Sequence, residues 1–290
     1  MKFKNLKKIR YYFNFTKPGI SRAQILTVSI GYFLAKQEIV FNQTFFYLIA
    51  GTYLFSSSAG GLNNLIEKKH DALMDRTKKR ALVTSDISVV EALFIIIICF
   101  AAATFLLYLI NVPTLLVAIG TVLIYGFIYT PLKRISWINT LVGAIPGALP
   151  VLGGWLATET PIHIAIIAVF FSLFSWQIPH FYALSIMYLN EYKNAGFKML
   201  PINDDGFKST KRQILIFTIL MILSSTGPFL YGYLSEIYLV GVLVISIIFF
   251  MLTIKFIKGF TNKNARKLFI LSIIYLPLWL SFIIIDILLN

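Results

Sequence analysis

The chain has 290 residues, of which 58% are hydrophobic and only 13% are charged, and its mean hydropathy is +0.80. This composition excludes a water-soluble domain and indicates an integral membrane protein. The net charge of +14 does not indicate nucleic-acid binding, because the basic residues lie in short segments between apolar runs. In that setting they determine topology and attract anionic lipid.

Apolar segments of about 20 residues, the length that crosses a bilayer, recur along the chain. Continuous apolar runs dominate over alternating patterns, so we expect helices and not strands. The sequence predicts an all-α polytopic membrane protein that forms one domain over residues 1–290, with a basic N-terminal segment at 1–19. The nine predicted spans cover about 20–37, 42–65, 88–110, 112–130, 137–157, 161–188, 213–233, 237–256 and 267–288.

The Lys and Arg residues predict how these spans are oriented. Of the 26, only Lys36 lies outside the segment before the first span and the loops after the even-numbered spans. By the positive-inside rule, the N-terminus and those loops are cytoplasmic, which predicts a multi-pass protein of the bacterial inner membrane. The long polar loops at 66–87 and 189–212 then face the same side and are candidates for one shared site.

The first polar stretch follows the second predicted span. On a continuous helix, one face would carry two amides and three carboxylates: Asn63, Asn64, Glu67, Asp71 and Asp75. Clustered carboxylates repel one another unless a cation lies among them, and oxygen ligands of this kind suit Mg²⁺. The basic residues that follow offer donors to a phosphate group; they are Arg76, Lys78, Lys79 and Arg80. The alternative is a solvated loop in which acids and bases neutralise one another.

The second stretch joins the fourth and fifth spans. Tyr129 is followed by Lys133 and Arg134, which either contact a ligand or only determine topology. The helix after them holds four glycines and two prolines within residues 143–155. These residues expose backbone, which a membrane tolerates only against neighbouring helices or a cavity. We therefore expect this helix to form a cavity wall.

The third stretch lies at the cytoplasmic end of the sixth span and contains Trp176, Pro179 and His180, followed by Glu191 and Tyr192. A histidine inside a membrane span is costly, so His180 is either a contact to a ligand or a hydrogen-bonded structural residue. Glu191 is either a further metal ligand or a counter-charge for the lysines beside it.

In this order, the three stretches resemble the UbiA superfamily of intramembrane prenyltransferases over about residues 20–205, and within it the branch that prenylates haem. The first motif of the superfamily, Asn-Asp-x-x-Asp-x-x-x-Asp, is represented here by Asn63, Asn64, Glu67 and Asp71. At positions 67 and 191 this chain has Glu where the superfamily usually has Asp. The longer side chain changes the reach of each ligand but keeps the oxygen donors.

The resemblance implies a bundle of nine helices around a central cavity that opens to the cytoplasm. It implies transfer of the farnesyl group of farnesyl diphosphate to a vinyl group of haem b, with Mg²⁺ as cofactor and release of pyrophosphate. It also implies that the product passes to a haem A synthase or a terminal-oxidase assembly factor. The reaction would take place within the lipid bilayer.

The resemblance also assigns roles to residues. The implied metal ligands are Asn64, Glu67 and Asp71, with Glu191 as a further candidate. The implied diphosphate contacts are Arg76, Lys79, Arg80, Lys133 and Arg134. The haem would contact His180, Trp176 and Tyr192. Catalysis would combine the metal ligands with Arg76, Lys133, Tyr129 and His180, of which the last two would position the porphyrin or stabilise an allylic cation.

Two other functions stay open. A UbiA-type enzyme with an aromatic quinone-precursor acceptor would share the diphosphate site, although the pair Asn63-Asn64 and the sequence Pro179-His180-Phe181 favour haem. A transporter or a non-enzymatic haem-binding protein would place polar residues near the middle of the bilayer. In this chain the acidic residues are instead concentrated at the cytoplasmic ends of the predicted spans.

Overall fold

The computed structural model describes the backbone of residues 2–290 and the side chains of residues 8–290, and all of the regular structure in that range is helical. The first half contains α1 (Lys2–Phe15), α2 (Pro18–Lys36), α3 (Gln43–Ile66), α4 (Lys68–Asp71), α5 (Val89–Tyr108), α6 (Val112–Leu123), a π-helix (Ile124–Tyr129) and α7 (Thr130–Leu132). The second half contains α8 (Asn139–Leu156), α9 (Ile164–Met187), α10 (Leu189–Asn194), two 3₁₀ turns (Leu200–Ile202 and Asp205–Phe207), α11 (Lys208–Ser225), α12 (Gly227–Leu230), α13 (Glu236–Lys258) and α14 (Asn262–Leu289).

Side-chain caps begin several helices at the points where the apolar runs start. Asn42 at α3 and Asn111 at α6 each accept a hydrogen bond from the backbone N–H three residues later. Ser88 and Glu91 form a reciprocal capping box at the start of α5. Each cap satisfies backbone N–H groups that the helix itself leaves unpaired. The caps therefore fix where the chain enters the apolar region.

Seven helical segments of the described chain are long and apolar enough to cross a membrane, which makes this a multi-pass membrane protein. They are α5, the continuous run from α6 to α7, α8, α9, the segment from the second 3₁₀ turn through α12, α13 and α14. The helices α2 and α3 have 19 and 24 residues but fall outside this group, and both carry buried polar residues. The count of nine spans therefore stays a prediction.

The long helices form a ring around a central cavity. In this ring α2 packs on α3 and α8, α3 on α5, α5 on α6, α8 on α9, and α9 on α11 and α14. Contact between α14 and α2 closes the ring. Large apolar side chains lie exposed on the outer face, as expected of a surface in contact with lipid, and they include Phe94, Ile97, Phe105, Phe127, Ile247 and Met251.

Two glycines allow α2 and α8 to approach closely. A Cβ atom added to Gly154 would lie 2.0 Å from the carbonyl oxygen of Val28, and one added to Gly31 would lie 1.9 Å from the carbonyl oxygen of Val151. Both contacts are with backbone atoms, so the helices would have to move apart to admit a side chain. Small residues at helix crossings are typical of packing inside membranes.

We expect Gly154→Ala to destabilise the protein by about 1–3 kcal/mol, because that is the usual cost of overpacking a filled interior. The matched control is Gly120→Ala in α6, where an added Cβ meets no atom within 4 Å. Thermal unfolding in detergent measures both variants. If the two substitutions had equal effects, the close α2–α8 contact would not limit stability.

Candidate active site

A cavity of about 820 Å³ lies inside the ring and is lined by residues of α2, α3, α6, α8, α9 and α14. Helix α8 contributes Gly143, Pro146, Gly147, Pro150 and Gly153 to the wall, in line with the prediction from its composition. Charged side chains gather at the end where α2 begins and α3 ends, and mainly apolar and aromatic side chains line the rest. This division suits a ligand with an anionic head and an apolar body.

The acidic stretch does not form the continuous helix that its spacing predicted. Helix α3 ends at Ile66, and the short α4 covers Lys68–Asp71 before the chain continues in turns. Glu67 and Asp71 are both buried and line the cavity. Asp75 is exposed and bonds to a neighbouring lysine. The prediction that Asp75 shares a face with the other acids was wrong, because the chain leaves the helical path after Asp71.

Glu67 and Asp71 are each paired with one cation. Lys133 Nζ lies 2.8 Å from Glu67 Oε1, and Arg80 Nη1 lies 2.5 Å from Asp71 Oδ2. Burial opposes ionisation of Glu67, but Lys133 and Lys17 outweigh it and hold the pKa of the Glu67 carboxyl below its usual value. Burial likewise opposes the charge on Lys133, but Glu67 raises the pKa of Lys133 above its usual value. Glu67 and Lys133 are therefore both charged at neutral pH.

The two neighbouring asparagines have different surroundings. Asn63 lines the cavity, and its Oδ1 accepts a hydrogen bond from Lys17. Asn64 donates from Nδ2 to the carbonyl oxygen of Phe15 at 2.8 Å and accepts at Oδ1 from Arg80 at 3.0 Å. Asn64, which we predicted as a metal ligand, does not line the cavity. Asn63 occupies the position facing the cavity instead.

Lys17 is a site residue that the sequence did not reveal. It lines the cavity beside Asn63, and its backbone lies in the left-handed region with φ 54°. Burial, together with the charge of Arg80, holds the pKa of Lys17 well below its usual value. Strained backbone of this kind is common at functional sites. The contact joins residues 46 positions apart, so no local spacing could have indicated it.

The remaining predicted diphosphate contacts divide into two groups. Arg76 lines the cavity, and its Nη2 donates to the hydroxyl of Tyr192 at 3.1 Å. Lys79 and Arg134 are exposed and do not line the cavity. Glu191 also lies outside this cavity and accepts a hydrogen bond from the backbone N–H of Arg76 at 3.1 Å. Glu191 is thus placed to orient the Arg76 segment, and its role as a further metal ligand stays a prediction.

A π-helix interrupts the run from α6 to α7 beside the cavity. It places Tyr125 and Tyr129 on the cavity wall, with ring centroids 5.3 Å apart. Lys133 Nζ lies 4.6 Å from the centroid of the Tyr129 ring. A Cβ added to Gly143 would lie 2.5 Å from that ring, so the glycine provides the space that the ring occupies. Irregular helical turns of this kind often occur at functional sites, and this one brings Tyr129 next to the charged end.

Trp176 and His180 line the cavity from α9. Their rings stack with centroids 5.3 Å apart, and His180 also stacks on Phe269 of α14 at 4.8 Å. His180 Nδ1 lies 2.7 Å from Ser272 Oγ, and Trp176 Nε1 donates to the carbonyl oxygen of Ser272 at 3.0 Å. One serine of α14 therefore anchors both side chains. This serine lies 92 positions from His180, so no local pattern could have indicated the contact.

The oxygen donors at the charged end fit Mg²⁺. Among residues 8–290, no group of three or more His, Cys, Asp or Glu side chains could enclose a metal ion. Glu67, Asp71 and the Asn63 amide are the available oxygens, and Mg²⁺ needs only one or two carboxylates when phosphate oxygens and water complete its octahedron. Asp71 Oδ1 is buried and has no hydrogen-bond partner among the side chains and backbone that the structure describes. That state is costly unless a ligand satisfies the oxygen, so the chemistry of this site is suited to a hard cation.

Known proteins are similar to this chain in sequence over nearly its whole length. The UbiA prenyltransferase family matches residues 25–282. The protoheme IX farnesyltransferase of Koribacter versatilis is 32% identical, covering 96% of this chain and 93% of that protein. The protoheme IX farnesyltransferase of Solibacter usitatus is 35% identical, covering 96% of this chain and 99% of that protein.

Two solved structures show the same fold at lower identity. A digeranylgeranylglyceryl phosphate synthase has a TM-score of 0.81 at 16% identity, covering 98% of this chain and 100% of that one. A UbiA homologue from Archaeoglobus fulgidus, bound to GPP and Mg²⁺, has a TM-score of 0.70 at 20% identity, covering 94% of this chain and 99% of that one. Because the sequence match extends over nearly the whole chain and the fold agrees, this protein belongs to the UbiA prenyltransferase family.

Proposed function

We propose that this protein transfers the farnesyl group of farnesyl diphosphate to a vinyl group of haem b, giving haem O and pyrophosphate. The observation that carries the proposal is a single cavity with two different parts. Buried carboxylates and cations at one end suit a metal-bound diphosphate, and an imidazole among aromatic rings suits a large planar acceptor. The names of the two farnesyltransferase relatives are consistent with this reaction.

The diphosphate would occupy the charged end of the cavity. Lys133 and Arg80 line the cavity while they bind Glu67 and Asp71, so both cations can also reach an anion held there. Lys17 and Arg76 line the cavity and would add further donors, whereas Lys79 and Arg134, which we also predicted as contacts, do not line it. Fixed positive charge where negative charge develops lowers the barrier to ionisation, and one such group typically contributes about 100-fold to 1000-fold in rate.

Glu67, Asp71 and Asn63 are the residues that would hold Mg²⁺. When bound, the ion would neutralise diphosphate charge and help to anchor the diphosphate to the protein. The UbiA homologue solved with GPP and Mg²⁺ supports metal-assisted binding of a prenyl diphosphate in this fold. We assign the amide ligand to Asn63, since Asn63 lines the cavity and Asn64 does not.

The apolar part of the cavity would protect the reactive intermediate. The bond between farnesyl C1 and the diphosphate oxygen breaks, and its electron pair leaves with pyrophosphate. Side chains such as Phe55, Leu107 and Phe181 line the cavity and would exclude the water that could capture the allylic cation. Tyr129 lines the cavity next to the charged end and is our candidate for stabilising that cation.

The acceptor step then completes the reaction. A vinyl carbon of haem b forms a bond to farnesyl C1, which leaves positive charge on the carbon attached to the porphyrin. Water adds to that carbon and loses a proton, giving a hydroxyethylfarnesyl chain. His180, Trp176 and Tyr192 line the same cavity and are our candidates for contacts to the porphyrin.

We also propose an orientation for this single domain of residues 1–290. The distribution of Lys and Arg supports an N-terminus and a charged end that face the cytoplasm, with the protein in the cell inner membrane. Farnesyl diphosphate would enter from that side. Haem O is strongly apolar, so we expect direct transfer to a haem A synthase or a terminal-oxidase assembly factor.

Purified protein in lipid nanodiscs should release pyrophosphate from farnesyl diphosphate when Mg²⁺ and haem b are both present. Mass spectrometry should then show that the haem has gained a farnesyl group and a hydroxyl group. Under the same conditions 4-hydroxybenzoate should give no prenylated product, which separates haem from quinone precursors as acceptors. Haem binding without pyrophosphate release would contradict the proposal and favour a binding or transport protein.

A further inference from the structure

The hydrogen bonds around His180 determine which ring nitrogen carries the proton. Ser272 Oγ donates its hydrogen to the carbonyl oxygen of Phe269 at 2.6 Å. A serine hydroxyl has one proton, and a carbonyl oxygen can only accept. This geometry favours Oγ as the acceptor in its 2.7 Å contact with His180 Nδ1. It therefore favours the Nδ1–H tautomer of His180, with an unprotonated Nε2.

The second ring nitrogen of His180 is left available to a ligand. His180 lines the cavity, and Nε2 has no hydrogen-bond partner among residues 8–290. A histidine with a purely structural role in a membrane span would be expected to satisfy both nitrogens, because unpaired polar atoms there are costly. An Nε2 lone pair at a cavity, with the Nδ1–H bonded to a fixed oxygen, is the usual arrangement of a histidine that binds metal.

The surrounding residues hold the imidazole in one orientation. Trp176 and Phe269 each stack on the ring, with interplanar angles of 25° and 26°. Ser272 is itself fixed, because its carbonyl oxygen accepts a hydrogen bond from Trp176. His180 lies seven residues before the end of α9, or about 10 Å along the helix. The imidazole is thus held in one orientation, and it lies further from the charged end of the cavity than the end of α9 does.

We propose that His180 Nε2 coordinates the iron of the haem acceptor as an axial ligand, and that Ser272 is the positioning residue that fixes the required tautomer. The inference rests on the proposed function for the identity of the acceptor. Coordination would hold the porphyrin in the apolar part of the cavity during ionisation of the diphosphate. It would also make the iron a recognition element, because protoporphyrin IX without iron has the same vinyl groups but offers Nε2 nothing to bind.

The first test is a titration of haem b and of iron-free protoporphyrin IX into the protein in nanodiscs. With haem b, the wild-type protein should give the Soret and electron paramagnetic resonance signature of a nitrogen axial ligand. His180→Ala should lose that signature and at least about tenfold in haem affinity, while its affinity for protoporphyrin IX stays unchanged. Added imidazole should restore the signature. An unchanged signature in His180→Ala, or equal losses for both porphyrins, would overturn the proposal.

The second test changes the partner of His180 and leaves the imidazole in place. Ser272→Ala removes the acceptor of the Nδ1–H bond, so haem affinity should fall about tenfold with no change for protoporphyrin IX. The matched control is Ser281→Ala on the same helix, where the serine is exposed and donates only to the carbonyl oxygen of Pro277. If Ser272→Ala and Ser281→Ala behaved alike, Ser272 would not be the positioning residue.

Pyrophosphate release separates this inference from the proposed function. If the wild-type protein prenylates haem b but shows no nitrogen ligand, only the inference about His180 fails. If the nitrogen signature is present and depends on His180 but no pyrophosphate is released, iron coordination stands and the proposed function fails.

Discussion

Asp71→Asn should lower prenyl transfer by at least about 100-fold, the usual effect of removing one preorganised electrostatic group from an active site. Asp71 Oδ2 is bound by Arg80, whereas Oδ1 is buried with no partner within residues 8–290 and is the oxygen left for a cation. Asparagine keeps the shape of the side chain but removes the negative charge that attracts a divalent ion. Turnover of farnesyl diphosphate with haem b measures the loss.

The matched control is Asp75→Asn. Asp75 lies four residues further on, but it is exposed, pairs only with Lys78 and does not line the cavity. This variant should keep wild-type turnover. Asp75→Asn should leave thermal unfolding unchanged, whereas Asp71→Asn should lower the unfolding temperature, because Arg80 loses its buried partner and keeps only its hydrogen bond to Asn64. Equal losses of turnover in the two variants would rule out a specific metal role for Asp71.

A binding measurement separates the metal role of Asp71 from its effect on chemistry. Farnesyl thiodiphosphate resists ionisation, so its affinity can be followed as the Mg²⁺ concentration is raised. The Asp71→Asn variant should need more Mg²⁺ than the wild type to reach the same affinity. The same Mg²⁺ dependence in both proteins would mean that Asp71 acts on the reaction and not on the metal.

The fold could be predicted largely from the length of the apolar segments. Runs of about 20 apolar residues have few stable structures in lipid other than a helix, and the structure is helical throughout its described residues. The glycines and prolines of α8 also indicated the cavity wall correctly. The exact number of spans was harder to predict, because α2 and α3 turn polar residues inward and so resemble soluble segments in composition.

Residue spacing could predict only those parts of the site whose residues are close in sequence, and the family resemblance was needed to bring the three stretches together. The spacing of Glu67 and Asp71 indicated that they converge, and both line the cavity. The same spacing wrongly included Asp75, since periodicity cannot show where a helix ends. Lys17 and Ser272 were missed for a different reason: their contacts join positions 46 and 92 residues apart. Contacts over such distances depend on how the helices are arranged around the cavity.

The ion pair between Lys133 and Glu67 allows stability to be separated from catalysis. Both side chains are nearly buried, with exposed fractions of 15% and 6%. Removing one partner leaves a buried charge unpaired, which costs on the order of 3 kcal/mol, whereas replacing both partners by neutral groups is often close to neutral. Lys133→Met and Glu67→Gln should therefore each lower the unfolding temperature, and the double variant should recover most of it.

Turnover should follow a different pattern from stability in these variants. We propose that Lys133 stabilises the departing pyrophosphate and that Glu67 holds Mg²⁺. Because replacing both side chains by neutral ones restores neither role, the double variant should stay as inactive as either single variant. Lys8→Met is the control for loss of an ion pair, because the pair of Lys8 with Glu91 is exposed and lies outside the cavity. That substitution should change the unfolding temperature little, because exposed ion pairs contribute little to stability, and it should leave turnover unchanged. Recovery of both stability and turnover in the double variant would show that the Lys133–Glu67 pair only supports the fold. The diphosphate would then have to be held by Lys17, Arg76 and Arg80.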